Sequence, residues 1–153
     1  MKVLKRTQWL PVTLDDAWEF FSSPANLNDI TPKDMVFEIL SEVPKVMYEG
    51  LFIMYRIKPI FNIPMQWVTE ITHIKDRTYF IDEQRSGPYR LWHHEHHFEE
   101  KDGGVLMKDL LYYDVGMGWV GQWASFFFID RKVKEIFDYR FQILEEKFGK
   151  ISV

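Results

Sequence analysis

Hydrophobic and polar positions divide the chain into an amino-terminal strand, short helices, a series of strands and a long terminal helix. Apolar residues in Met1–Leu10 indicate a strand that ends at Pro11. Thr13, followed by acidic residues, is a suitable N-cap for a short helix, and Ala25–Ile30 is predicted to form a second one. Segments rich in aromatic and β-branched residues between turn-forming residues predict six further strands: Met35–Leu40, Val46–Ile57, Met65–Ile74, Thr78–Gln84, Tyr89–Glu99 and Val105–Val115.

The pattern becomes helical after Gly118. Apolar residues then recur at the spacing of one helix face: Ile129, Val133, Ile136, Phe137, Leu144 and Phe148. Gly149 is a fitting C-cap. Without a repeat or a linker-like stretch, residues 1–153 are expected to form a single domain. The order of elements predicts an α+β fold, a curved antiparallel sheet of about seven strands around the carboxyl-terminal helix, with two short helices after the first strand.

Composition narrows the possible functions. The net charge of −4 offers no polybasic attraction to phosphate, which argues against nucleic acid as a partner. The absence of cysteine excludes disulfides, thiolate metal sites and thiol nucleophiles. Aromatic residues make up 17% of the chain, more apolar bulk than a core of this size obviously needs. The excess indicates a ring-lined pocket or a surface for a partner, unless the core simply uses Phe where other proteins use Leu.

No apolar run has the length of a signal sequence or a membrane span, so we expect a cytoplasmic protein without integral membrane association. The aromatic stretch Trp119–Phe128 is open to two interpretations. It could contact a membrane or a second copy of the chain, or it could close one end of a pocket. We favour the pocket, since such rings at the start of a long helix more often face the interior.

Alternation along strands predicts which side chains share a face. A turn centred on Pro88 would place Asp82 opposite His94 and Phe80 opposite His96. A turn centred between Asp102 and Gly103 would likewise place His96 opposite Asp109 on the next strand. One face of three adjacent strands is predicted to carry Phe80, Asp82, Gln84, Trp92, His94, His96, Phe98, Met107, Asp109, Leu111 and Tyr113. This face is expected to point toward the long helix, and the opposite face is more polar.

Two carboxylates and two imidazoles on that face are the candidate chemical groups. A His beside an Asp can hold a proton in a defined place, which suits general acid–base catalysis. The same groups in pairs, Asp82 with His94 and His96 with Asp109, can instead be buried bridges that fix strand register. A third alternative is a zinc site formed by His94 and His96 with either Asp, since residues two apart on a strand share a face. We expect no metal and no cofactor.

A family resemblance rests on a set of residues and short motifs: Trp67, Ile71, Phe80-Ile81-Asp82-Glu83-Gln84, Gly87-Pro88-Tyr89, Trp92, His94, His96, Phe98, Asp109, Tyr113 and Ile136-Phe137-Asp138-Tyr139-Arg140. With these, the chain resembles the START-like (SRPBCC) superfamily, and within it a branch related to polyketide cyclase/dehydrase-like and coenzyme Q-binding proteins. Gly116 stands where that branch usually has Pro. The resemblance implies a helix-grip fold enclosing an apolar cavity. It fixes no reaction, because members include lipid carriers, hormone receptors and cyclases.

These observations together predict a protein that binds a small hydrophobic molecule of polyketide, isoprenoid or lipid type. The alternative is a cyclase- or dehydratase-type enzyme that uses a His–Asp pair in the same cavity. A third possibility is an interaction module with an aromatic helix face. The predicted cavity wall consists of Trp67, Phe80, Trp92, Phe98, Met107, Tyr113, Phe137 and Leu144. The predicted anchors for a polar ligand head are Asp82, His94, His96, Asp109 and Tyr113.

Overall fold

The computed structural model describes residues 1–58, 63–115 and 119–149, with the side chains of 119–127 left out of the description. These residues form one antiparallel sheet, two α-helices and two 3₁₀ helices. The elements in chain order are β1 (Lys2–Leu10), α1 (Leu14–Phe21), 3₁₀ helices Pro24–Ile30 and Lys33–Met35, β2 (Glu38–Ile39), β3 (Leu51–Ile57), β4 (Met65–Lys75), β5 (Tyr79–Ser86), β6 (Leu91–Lys101), β7 (Gly104–Asp114) and α2 (Trp119–Phe148).

The described strands form a seven-stranded sheet in the order β1-β7-β6-β5-β4-β3-β2. Strand β4 has two register shifts against β5, after Val68 and after Ile71. Such irregularities bend a strand and increase its twist, which helps the sheet to curve. Helix α2 is tied to β1 by a hydrogen bond from Gln8 to the carbonyl of Phe141 at 3.0 Å. The α+β helix-grip fold predicted from the sequence is confirmed.

The hairpin registers also agree with the prediction. Asp82 pairs with His94 in the β5–β6 ladder, and His96 pairs with Asp109 in the β6–β7 ladder. Asp102 and Gly103 at the second turn both have positive φ, the backbone that a tight two-residue hairpin requires. The local turn chemistry therefore sets the face of every side chain in these three strands.

The prediction was wrong for strands β2 and β3, which are much shorter than expected. The segment predicted as Met35–Leu40 keeps only two strand residues, because a 3₁₀ helix ends at Val36 in the left-handed region with φ 45°. The strand predicted over Val46–Ile57 begins only at Leu51, because Gly50 with φ 86° turns the chain immediately before it. In these segments Met35, Phe37 and Met47 pack against the core, whereas Val36, Val46 and Tyr48 are exposed.

The remaining boundaries differ by a few residues. Strand β6 starts at Leu91, two residues after the predicted start, because Tyr89 belongs to the preceding turn. The predicted second short helix is a 3₁₀ helix, and Pro24 is its first residue. Gly116 and the side chains of 119–127 lie outside the described residues, so neither interpretation of the aromatic stretch is tested there. Within the described ranges no helix is long and apolar enough to cross a membrane.

Candidate functional site

A cavity of about 160 Å³ lies between the concave face of the sheet and helix α2. Its floor comes from strands β3 to β6, and one side is closed by α1 and the 3₁₀ helix Pro24–Ile30. A cavity of roughly 150 Å³ lined by aliphatic and aromatic groups is large enough to admit a benzene molecule. Most of this lining is apolar, and its charged and imidazole groups lie at two places: Asp82, His94, His96 and Arg140 at one, and Lys132 at the other.

Seven of the twelve predicted ligand-contacting residues line this cavity: Trp67, Phe80, Asp82, Trp92, His94, His96 and Phe137. The other five do not. Phe98, Met107 and Leu144 are buried in the neighbouring core around α1. Asp109 lies against the two imidazoles, away from the cavity, and the Tyr113 hydroxyl donates to Asp130 at 2.8 Å. Binding of a ligand by any of the twelve stays a prediction.

The two imidazoles and the two carboxylates form one buried cluster. His94 contacts Asp109 through Nε2 at 3.0 Å and Asp82 through Nδ1 at 3.4 Å. His96 contacts Asp82 through Nε2 at 2.8 Å and Asp109 through Nδ1 at 3.0 Å. The sequence predicted the directly opposed pairs, and the structure adds the diagonal ones. Each ring therefore lies between two carboxylates, which fixes its orientation.

Arg140 from helix α2 completes the cluster and was missed as a site residue by the sequence analysis. Its Nη2 lies 3.4 Å from Asp109 Oδ1 and 3.3 Å from His96 Nδ1. The side chain is 8% exposed and lines the cavity. Its position on the helix gave a signal, because it lies three residues after Phe137 and four before Leu144 on the apolar face. A cation on such a face requires a buried anion as partner.

The contacts in this cluster shift the pKa values of its members. Burial raises the pKa of Asp109, but the charge of Arg140 and the hydrogen bonds with both imidazoles outweigh burial, so this pKa lies well below its usual range. Burial also raises the pKa of Asp82, and the hydrogen bond with His96 and the nearby positive charges again bring it below normal. Both carboxyl groups are therefore ionised at neutral pH.

From the sequence, a His beside an Asp is expected to hold a proton, and His94 has two carboxylate neighbours. Burial lowers the pKa of His94, and the charge of His96 lowers it further. The carboxylates of Asp109 and Asp82 oppose this change without reversing it. His94 is consequently neutral at pH 7, since its pKa lies below its usual value of 6.5.

Three groups of the cluster have the types and spacing that a metal ion needs. Ligand atoms of Asp82, His94 and His96 all lie within 4.8 Å of one another, a grouping found among the described residues. These groups, however, already contact each other: His96 Nε2 forms a hydrogen bond with Asp82 at 2.8 Å, and His94 Nδ1 lies 3.4 Å from the same carboxylate. The guanidinium of Arg140 already supplies a positive charge to this cluster. A divalent cation would have to displace these contacts.

The end of the cavity away from helix α1 is formed by three aromatic rings, those of Trp67, Tyr89 and Trp92. Ring centroids of Trp67 and Trp92 lie 5.1 Å apart, and those of Tyr89 and Trp92 lie 4.8 Å apart. Gln84 holds the turn that carries Tyr89, since its amide donates to the Tyr89 carbonyl at 2.5 Å and accepts from the Tyr89 amide at 3.2 Å. With Trp67 and Tyr89 centroids 5.5 Å apart, each of the three rings packs against the other two.

Close to the 3₁₀ helices, the wall includes a cation that is partly exposed. Lys132 of helix α2 pairs with Asp34 at 2.7 Å, and the Lys132 side chain is 20% exposed. Asp34 belongs to the 3₁₀ helix Lys33–Met35, so this ion pair joins α2 to the short helical segment beside the cavity. Asp34 compensates the charge of Lys132, so Lys132 is not part of the buried cluster, whose cation is Arg140.

The fold is shared with solved structures of low sequence identity. A protein from Thermus thermophilus is similar with a TM-score of 0.72 and 13% identity, covering 96% of this chain and 97% of that one. Ginseng major latex-like protein 151 from Panax ginseng has a TM-score of 0.63, 12% identity, and coverage of 96% and 97%. Ara h 8.0201 has a TM-score of 0.59, 14% identity, and coverage of 95% and 98%.

The sequence comparisons return no relative. No protein-family model matches the chain, and no curated protein matches it significantly. At identities this low, the similar structures establish the Bet v 1-like helix-grip fold and nothing about the ligand or the reaction.

Proposed function

We propose that the protein binds a small hydrophobic molecule in the cavity between the sheet and helix α2. The observation that supports this proposal is an apolar, ring-lined cavity of about 160 Å³ with one polar cluster in its wall. Pockets of this type, mostly apolar with a few convergent polar groups, are typical of small-molecule sites. The resemblance to the START-like superfamily points in the same direction, and a polyketide-, isoprenoid- or lipid-like ligand remains the proposed class.

The test uses ethylbenzene as an apolar probe and a variant that fills the cavity. Ile71→Trp adds an indole to a cavity-lining position of β4, whereas Ile81→Trp makes the same change on the outer face of β5. We expect titration calorimetry to detect binding to the wild type and to Ile81→Trp, and none to Ile71→Trp, with both variants folded by circular dichroism. Equal binding by the two variants, or no binding to the wild type, would contradict the proposal.

A second experiment identifies the natural ligand. Native mass spectrometry of the protein purified gently from its host should show an additional mass that is absent from Ile71→Trp. The mass would assign the ligand to one of the proposed classes. A wild-type protein whose mass is that of the chain alone, in repeated gentle preparations, would count against tight binding.

The alternative of a cyclase- or dehydratase-type enzyme is supported by the neutral state of His94 in the cavity wall, because a neutral imidazole can accept a proton. The geometry favours binding over catalysis, since both ring nitrogens of His94 and of His96 face carboxylate oxygens. An enzyme would show turnover of the identified ligand with a pH profile that His94→Gln flattens. Unchanged ligand after prolonged incubation would exclude this alternative for that ligand.

A further inference from the structure

Nε of the Arg140 guanidinium is a donor that the cluster does not use. Among the buried side-chain nitrogen and oxygen atoms of the described residues, Nε of Arg140 is the atom without a hydrogen-bond partner. Its neighbour Nη2 is occupied by Asp109 and His96. A buried donor without an acceptor costs free energy, so native proteins almost always supply one. Arg140 is one of the cavity-lining residues and its Nε is enclosed, so a bound molecule supplies that acceptor only if it displaces the side chains that cover Nε.

The charges around this donor determine which acceptor fits. Two ionised carboxylates, Asp82 and Asp109, face one guanidinium, and His94 is neutral at pH 7. The cluster thus sets two carboxylates against one guanidinium and leaves no surplus positive charge for an anion. A carboxylate or phosphate placed at Nε would lose its hydration and lie close to Asp109 without compensation.

The surroundings of Arg140 are otherwise apolar. Its guanidinium carbon lies 5.4 Å from the centre of the Phe21 ring. Phe137, one helical turn earlier, packs against His94 with ring centroids 5.3 Å apart. A ligand that reaches Nε thus lies beside the rings of Phe21 and Phe137.

We propose that Arg140 Nε donates a hydrogen bond to a carbonyl oxygen on the hydrophobic ligand, so that the site selects an uncharged ketone- or ester-type head over a carboxylate. This inference rests on the proposed function, because it specifies the head group of the molecule in that cavity. Arg140 positions the head, and the ring-lined wall holds the apolar body.

Three probes of similar size separate the head groups: ethylbenzene, acetophenone and benzoate. We expect acetophenone to bind more tightly than benzoate at pH 7 by titration calorimetry. Arg140→Lys keeps the positive charge and removes Nε. A hydrogen bond from a charged donor contributes about 1.5–3 kcal/mol, so this variant should bind acetophenone roughly tenfold to a hundredfold more weakly and lose much less affinity for ethylbenzene. Arg131→Lys, an exposed position one residue from Lys132, is the matched control and should bind both probes like the wild type.

An NMR measurement on the wild-type protein keeps the test valid if Arg140→Lys does not fold. The Nε–H resonance of Arg140 should shift when acetophenone is added and change little with ethylbenzene. Benzoate binding as tightly as acetophenone, or an Nε–H resonance that does not respond to acetophenone, would overturn the inference.

The outcomes also separate this inference from the proposed function. If ethylbenzene binds and Ile71→Trp abolishes its binding, the cavity is a ligand site. A result in which Arg140→Lys does not weaken acetophenone binding then refutes only the carbonyl preference. If none of the three probes binds, the proposed function fails together with the inference.

Discussion

Asp109→Asn should destabilise the protein far more than any exposed ion-pair change, because it removes the central charge of a buried cluster. One oxygen of Asp109 lies 3.0 Å from His94 Nε2, 3.0 Å from His96 Nδ1 and 3.4 Å from Arg140 Nη2. An amide in the same place has no charge to balance the guanidinium. Removing one member of a buried pair costs about 3–5 kcal/mol.

The matched control is Asp138→Asn, which removes an equivalent charge at the surface. Asp138 pairs with Arg6 at 2.7 Å, but its side chain is 60% exposed, so solvent compensates for the loss. Exposed pairs contribute about 0–1 kcal/mol. With a change of about 2–4 °C in Tm for each kcal/mol in a domain of this size, we expect a fall of roughly 6–20 °C for Asp109→Asn and less than about 4 °C for Asp138→Asn.

The assay is thermal unfolding by circular dichroism at pH 7, repeated at lower pH. The pKa of Asp109 is lowered in the folded state, so its contribution is complete above the unfolded value near 3.8 and is lost as the pH falls through the folded pKa. The difference between wild type and Asp109→Asn should therefore persist at pH 5 and diminish under stronger acid. Equal losses of Tm for the two Asn variants at pH 7 would refute the argument that the cluster is buried and mutually compensated.

Three further predictions concern pH, backbone space and metal. His94 has a folded pKa below 6.5, so the unfolded chain binds its proton first and the stability of the protein falls as pH drops below that value. In denaturant titrations, the free energy by which the wild type exceeds His94→Gln should therefore shrink between pH 7 and 5. A constant difference would contradict this assignment. A Cβ on Gly104 would lie 2.5 Å from a backbone oxygen, whereas one on Gly103 meets nothing within 4 Å. Gly104→Ala should therefore lower Tm more than Gly103→Ala, which incurs only the cost of a positive φ, about 1 kcal/mol. The reverse order would show that the contact at Gly104 is relieved at little cost. One equivalent of zinc should leave Tm unchanged, because both imidazoles already contact the Asp82 carboxylate. A clear rise in Tm would show that the three side chains bind the ion.

The strand faces of the site were predictable because they depend on local geometry. Pro88 and the Asp102-Gly103 pair mark two hairpin turns, and a period of two then assigns His94, His96 and their carboxylates to one face. The same reasoning failed near Gly50 and Val36, where the backbone turns through positive φ and interrupts apolar segments that look like strands. Composition alone does not distinguish an apolar turn from an apolar strand.

The residues that line the cavity were only partly predictable from the sequence. Phe98 and Phe80 share a face and a strand ladder, yet Phe98 is covered by Trp18 at a ring-centroid distance of 5.6 Å, whereas Phe80 also borders the cavity. The two residues differ because helix α1 covers only part of that face. The pattern of residues along the strands contains no information about the position of this helix. Aromatic abundance therefore indicated a lined pocket without identifying its members.

The order of the elements, the hairpin registers and the presence of two carboxylates and two imidazoles on one sheet face all follow from the amino-acid pattern, because turns and alternation act over a few residues. Three other properties became evident only from the packed chain: Arg140 enters this group from a helix distant in sequence, both carboxyl groups stay ionised, and the buried Nε of Arg140 has no hydrogen-bond partner. These properties depend on distances and dielectric surroundings, which exist only after the helix has packed across the sheet.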